Sequence, residues 1–176
     1  SFYEAARDCG RIFVMDSYTA CLFHELNRLG HCLPEPSIWE PGIRVYYSAA
    51  SIRDMRKVYG RKCMRRFWMN TVCRFWIKKE QKRMVMLIRP SMLLDLRQLN
   101  FQQGEFIYSM WQAYRSKPGQ QQLERYLKSQ GFTNRSLHTG GHAFEKDIRR
   151  VIDGLMPKRI IPVHTAHPEA FLNISD

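Results

Sequence analysis

The sequence predicts an α/β protein, a mostly parallel, layered sheet flanked by helices. Three observations carry that expectation. Short apolar runs of strand length alternate with stretches of helical periodicity along most of the chain. The run Arg11-Ile12-Phe13-Val14-Met15 lacks the apolar–polar alternation of a half-solvated strand and reads as one covered on both faces. With 176 residues, 44% of them hydrophobic, and neither an internal repeat nor a low-complexity tract, the chain is long and apolar enough for one packed core.

The elements follow in order. Phe2 to Asp8 reads as a short helix closed by Gly10, and residues 11–15 as the first strand. Asp16 or Ser17 caps the next helix, because a short side-chain oxygen accepts the free amides of a first turn. Ala20, Phe23, His24 and Leu26 mark that helix, which Gly30 ends, and Pro34, Pro36 and Pro41 mark a loop. Ile43-Arg44-Val45-Tyr46-Tyr47 is a second strand, and Ser48 or Ser51 starts a helix reaching about Tyr59. Met64, Phe67, Trp68, Val72, Phe75 and Trp76, three or four apart, predict one amphipathic helical stretch. Residues 84–88 form a third strand, followed by Arg89-Pro90-Ser91 and a helix through Leu99. A fourth, short strand is Phe106-Ile107-Tyr108. Beyond the Pro118-Gly119 turn come a helix over 120–130, a strand-like Ser136-Leu137-His138, a Gly140-Gly141 turn, a helix over 143–155 and a last strand over 159–163.

Charge and cysteine content narrow the classes of function. Lys and Arg number 28 against 16 acidic residues, a formal charge of +12 that makes a polyanion the expected partner, nucleic acid before membrane. No apolar run approaches the roughly 20 residues of a membrane span. Ser1-Phe2-Tyr3-Glu4 has neither the basic start nor the apolar core of a secretory leader, and the absence of a first Met reads as a cut or processed piece. The five cysteines, odd in number and without a C-x-x-C pair, predict buried, reduced thiols in the cytoplasm rather than a disulfide framework.

Two stretches carry candidate chemistry. The first is the end of the chain, Thr139-Gly140-Gly141-His142-Ala143 and Ile160-Ile161-Pro162-Val163-His164. It places one histidine at a helix start and one directly after an apolar run. Ligands bind at the carboxyl ends of parallel strands, and a Gly-Gly turn leaves amides free for an anion. An exposed or internally satisfied histidine is the competing account at each place. The second stretch is residues 53–83, where Lys and Arg, including Arg53, Arg61 and Arg65, are interrupted only by Asp54 and Glu80 among Phe67, Trp68, Phe75 and Trp76. It reads either as a phosphate-tracking face or as the solvated side of an amphipathic helix. Asp16 is open in the same way, as a cap or as a carboxylate at a strand end, and Ser109 as a cleft residue or a turn residue.

The paired motifs Thr139-Gly140-Gly141-His142-Ala143 and Pro162-Val163-His164 resemble the last two signature motifs of the β-CASP metallo-β-lactamase family, which includes ribonuclease J. The family more often shows Ser-Gly-His-Ala and Pro-x-His there. Gly10-Arg11, Asp16-Ser17-Tyr18-Thr19-Ala20, Arg89-Pro90-Ser91-Met92-Leu93 and Tyr108-Ser109-Met110-Trp111 are similar to landmarks of the same family. The resemblance implies a β-CASP domain over residues 1–135 and a returning metallo-β-lactamase segment, helix and strand, over 136–176. It implies zinc as cofactor, His164 as a metal ligand and His142 as a catalytic group beside the scissile phosphate. Thr139, Gly140 and Gly141 become donors to phosphate, and the residue readings above add Ser109, Arg53, Arg61 and Arg65 as expected contacts to nucleic acid, RNA above all.

The sequence departs from the family in one major respect. No His-x-His-x-Asp-His motif exists among His24, His31, His138, His142, His164 and His167. A catalytic zinc needs three protein ligands and an open position. The expectation is therefore a zinc-dependent phosphodiester hydrolase whose metal-bearing half lies elsewhere, in cis or in trans, and which is inactive as this chain alone. A non-catalytic scaffold binding nucleic acid or protein is the alternative. A homodimer is compatible with either.

Overall fold

A computed structural model describes residues 1–40, 42–58, 65–137, 143–163, 165 and 167–171. Strand β1 (Ile12–Asp16) is central. Helix α1 (Phe2–Asp8) precedes it and α2 (Ser17–Arg28) follows it directly. Strand β2 (Ile43–Tyr46) leads to α3 (Ala49–Val58), and β3 (Thr71–Val72) leads to α4 (Arg74–Glu80). Strand β4 (Met84–Met86) leads through a 3-10 turn, Pro90–Met92, to α5 (Leu93–Leu99). The four strands lie in the order β3-β2-β1-β4, and every pairing is parallel. A second, two-stranded parallel sheet pairs β5 (Gly104–Tyr108) with β6 (Phe132–Ser136) around helix α6 (Pro118–Ser129). Helix α7 (Glu145–Leu155) follows.

The predicted α/β class with parallel strands is therefore what the chain adopts. The period-two alternation of the strands divides the core in two. Phe13, Met15, Ile43 and Val45 face one side and pack with Ala6, Ala20, Cys21, Met55 and Phe67, from α1, α2, α3 and the stretch before β3. Val14, Tyr46 and Val72 face the other, against Ile77, Leu96 and Leu99 of α4 and α5 and against Phe106, Tyr108, Leu123 and Leu127 of the second sheet and α6. Val14, Met15, Ile43 and Val45 are fully buried, each stabilising the fold by about 2 kcal/mol. Gly104 has a packing reason as well: a Cβ there would run into the ring of Phe132 across the β5–β6 pair.

Four expectations need correction. The predicted amphipathic stretch around residues 64–76 is broken into a 3-10 turn, Trp68–Asn70, strand β3 and helix α4. The β-branched Thr71-Val72 pair with β2 and add a fourth strand, so Phe67, Val72 and Ile77 go inward while Trp68 and Phe75 stay exposed. The last predicted strand, 159–163, does not form and is largely exposed, because a strand needs a free edge and these residues pair with none. The strand placed at 136–138 ends at Ser136 and begins at Phe132. Finally, Cys21 is disulfide-bonded rather than a reduced thiol, and Cys9, Cys32 and Cys73 are free but exposed. Among the described residues no helix is long and apolar enough to cross a membrane.

Candidate functional site

The chain runs from β1 outward through β2 to β3, then returns to place β4 on the other side of β1. That reversal opens a crevice between β1 and β4 at their carboxyl ends, the position where open α/β sheets hold ligands. Asp16 and Tyr18 line it from the β1–α2 junction, Ser51 and Asp54 from α3, and Arg89 and Ser91 from the segment after β4; it encloses about 370 Å³.

Local sequence explains how each group is held. Asp16 ends β1 and caps α2, its Oδ1 accepting from the Thr19 amide at 2.8 Å. A buried carboxylate needs a second partner, and Arg89 supplies it: Nε donates to Asp16 Oδ2 at 2.7 Å and Nη2 to Thr19 Oγ1 at 2.9 Å. The guanidinium also lies over the Tyr18 ring, 5.5 Å from its centroid. Asp16 is 1% exposed and the Arg89 side chain 42%. The arginine is thus fixed by three neighbours while Nη1 makes no hydrogen bond among the described residues and remains available to the crevice.

Beneath it lies a chain of buried hydroxyls. Ser48 Oγ donates to Ser51 Oγ at 2.9 Å, Ser51 Oγ donates to the Ser48 carbonyl, and Ser17 Oγ meets Ser51 Oγ at 2.8 Å. The Ser51 amide in turn donates to Ser48 Oγ, so Ser48 caps the start of α3. These hydroxyls satisfy one another and brace the crevice wall. A second polar cluster braces the same end of the sheet. Tyr46 OH donates to the buried Asp95 at 2.9 Å, and Arg74 Nη2 sits 3.6 Å from the same carboxylate. Burial, reinforced by the adjacent Asp95 carboxylate, pushes the Tyr46 phenol up, with Arg74 opposing.

Under the second sheet, Arg115 forks onto Glu124, with Nε and Nη2 at 3.0 and 2.9 Å, while Gln120 and Asn134 donate to the same carboxylate. Burial raises the Glu124 pKa, yet these hydrogen bonds outweigh it and hold the carboxyl below its ordinary value. Pro90 links this half to the crevice, lying against Gly119 at the start of α6.

The residues expected to act are distributed as follows. Thr139, Gly140, Gly141, His142, His164 and Arg61 lie outside the described residues. Ser109 follows directly on β5 and is exposed. Arg53, in α3, is exposed beside Asp54, Nε to Oδ1 3.8 Å, near the crevice. Arg65 precedes β3 and lies toward the opposite, amino end of the strands. The basic stretch therefore does not form one face. Lys82 and Arg83 lie at the amino end as well, since Arg11 Nη1 donates to the Lys82 carbonyl at 2.8 Å.

Sequence reasoning missed the Asp16–Arg89 pair and Asp54. Asp16 reads as a cap and Arg89 as part of a landmark, but nothing in the sequence joins two residues 73 positions apart. Among the described residues no three His, Cys, Asp or Glu side chains converge to hold a metal ion. His167 pairs with Glu169 at 2.8 Å and His24 with Glu35 at 2.8 Å. The described residues alone do not supply the three protein ligands a catalytic zinc needs. No protein-family model matches the chain, and no curated protein matches it.

Proposed function

We propose that the chain is the β-CASP part of a metallo-β-lactamase-fold phosphodiester hydrolase, holding nucleic acid, RNA above all, for chemistry completed by residues outside it. One observation carries the reading. The Asp16-Ser17-Tyr18-Thr19-Ala20 and Arg89-Pro90-Ser91 segments, remote in sequence, meet in a single crevice where the fixed Arg89 guanidinium keeps Nη1 clear of hydrogen bonds to the described residues. Arginine in that state suits a phosphate oxygen, because its fork is already oriented before the ligand arrives. The overall charge of +12 fits the same polyanion.

In this reading residues 1–135 form the β-CASP domain and 136–176 the returning segment. His142 acts beside the scissile phosphate, and His164 contributes one ligand to zinc whose other ligands come from a metal-bearing half in cis or in trans. Zinc, when bound, would supply an activated water. The exposure of Val151 and Leu155 on α7 agrees with a segment that packs against something beyond it. A cytoplasmic location belongs to the proposal, and the disulfide at Cys21 pulls against it. A scaffold that binds without cleaving is the second reading, supported by a crevice whose arginine is fixed by Asp16 and whose serines are hydrogen-bonded to one another.

A cleavage assay separates the two. The chain alone should not hydrolyse a labelled RNA, and adding a zinc-loaded half with the His-x-His-x-Asp-His motif should start hydrolysis. His142→Ala or His164→Ala should then abolish cleavage and leave RNA binding unchanged. Hydrolysis by the chain alone would refute the split site, and binding without cleavage after reconstitution would favour the scaffold.

A further inference from the structure

The amino end of the four-stranded sheet carries two tryptophans that the fold holds outward. Trp39 is 87% and Trp68 75% exposed, although tryptophan is among the residues that folding most rewards for burial. Neither is a loose side chain on a loose loop. Trp68 opens the Trp68–Asn70 turn, whose flanking positions point inward: Phe67 is 1% and Asn70 5% exposed. Asn70 N donates to the Phe67 carbonyl at 3.0 Å, and Thr71 Oγ1 donates to the same oxygen at 3.0 Å. Asn70 Nδ2 donates to the Ser37 carbonyl at 2.8 Å and so ties this turn to the one that bears Trp39. That second turn is closed in its own right, by Trp39 N onto Ser37 Oγ at 3.2 Å and a Ser37–Glu40 bridge. Both indoles are presented from backbone that is already ordered, so a ligand meets little further ordering cost.

The surroundings decide what they would meet. Arg65 and Arg66 directly precede the Phe67-Trp68 pair and are exposed. Arg66 approaches an acid only at 3.8 Å, to Glu35. Two exposed aromatic rings beside arginines form a platform for unpaired bases with cations for the linking phosphates. A duplex, whose bases are already stacked on each other, gives indoles nothing to stack on. We infer that the Trp39 and Trp68 turns form a stacking site for single-stranded nucleic acid, separate from the crevice. It lies at the other end of the strands, of which β2 alone spans about 13 Å, and would hold a part of the strand remote from the one at Arg89.

The inference rests on the reading of the partner as nucleic acid, and one titration tests the two apart. A fluorescently labelled single-stranded uridine oligonucleotide is titrated with the wild-type chain and with Trp39→Ala, Trp68→Ala and the corresponding Phe variants, and the same series is repeated with a duplex. Each Ala variant should lose about tenfold in affinity for the single strand, each Phe variant should recover most of it, and duplex affinity should not move. Binding should also quench indole fluorescence. Wild-type binding with Ala variants that bind equally well would overturn the stacking site and leave the crevice reading standing. No binding by the wild type would overturn both. Loss of a self-associated form in the Ala variants, or transfer of their defect to anionic lipid vesicles, would assign the surface to a second copy or to a membrane and overturn the inference as well.

Discussion

The two ends of the four-stranded sheet carry similar residues in opposite states. At the carboxyl end the charges are paired around buried carboxylates: Asp16 with Arg89, Asp95 with Tyr46 and Arg74. At the amino end Arg65, Arg66, Lys82 and Arg83 are exposed beside the two tryptophans, and Arg66 and Arg83 make only surface ion pairs, to Glu35 at 3.8 Å and Glu80 at 3.6 Å. A buried carboxylate must be neutralised and fully hydrogen-bonded, so it fixes its neighbours and shapes a crevice. A surface ion pair such as Arg66–Glu35 or Arg83–Glu80 contributes little to the fold, so its arginine can exchange it for a partner at small cost. Charge counted along the sequence cannot tell these states apart, and the single basic stretch it suggests turns out to span both ends.

That contrast can be broken by mutation, with costs that fall in order. Asp16→Ala removes a helix cap and leaves Arg89 without its carboxylate, and should cost about 3 kcal/mol of stability in urea denaturation. A loss below about 1 kcal/mol would mean the pair organises little. Tyr46→Phe deprives Asp95 of its hydroxyl donor in a buried site and should cost about 1.5 kcal/mol by the same measurement.

Glu124→Gln should cost about 1 kcal/mol at neutral pH, because the fork from Arg115 loses its charge. The Glu124 carboxyl titrates below the ordinary value of 4.5 in the folded chain. Its contribution is therefore present above 4.5 and lost as the pH falls through the lower, folded value. Wild type and Glu124→Gln should converge in stability in acid, which denaturation midpoints across that range will check. At the bottom of the series stands Arg53→Ala. Its partner Asp54 is 3.8 Å away and both side chains are exposed, so stability should change by less than about 0.5 kcal/mol. Its effect should appear instead as a smaller salt dependence of RNA binding.

Much of the fold was legible because it depends on local chemistry. The apolar run of β1, the cap at Asp16, the stops at Gly10 and Gly30, and the start of α3 at Ser48 are decided within a few residues. The parts that were not legible depend on partners far away. Thr71 and Val72 are too short a segment to announce a strand and become one only because β2 offers an edge. Residues 159–163 have the composition of a strand and form none, for want of such an edge. The crevice was half visible: Asp16 and the Arg89-Pro90-Ser91 segment were each noticed, but their meeting is a consequence of the strand order. The histidines that carry the resemblance, His142 and His164, stand outside the described residues.

In the proposed function nucleic acid is held at the crevice beside Arg89. Ser91 tests it without touching the pairs that build the site, being exposed, on the crevice wall, and two residues from Arg89. Single-stranded RNA affinity is measured across a range of salt concentration for the wild type and for Ser91→Glu. A carboxylate placed there should repel a phosphate and lower affinity at low salt by about tenfold, with the gap closing as salt screens it. Equal affinity of the two proteins at every salt concentration would contradict the claim.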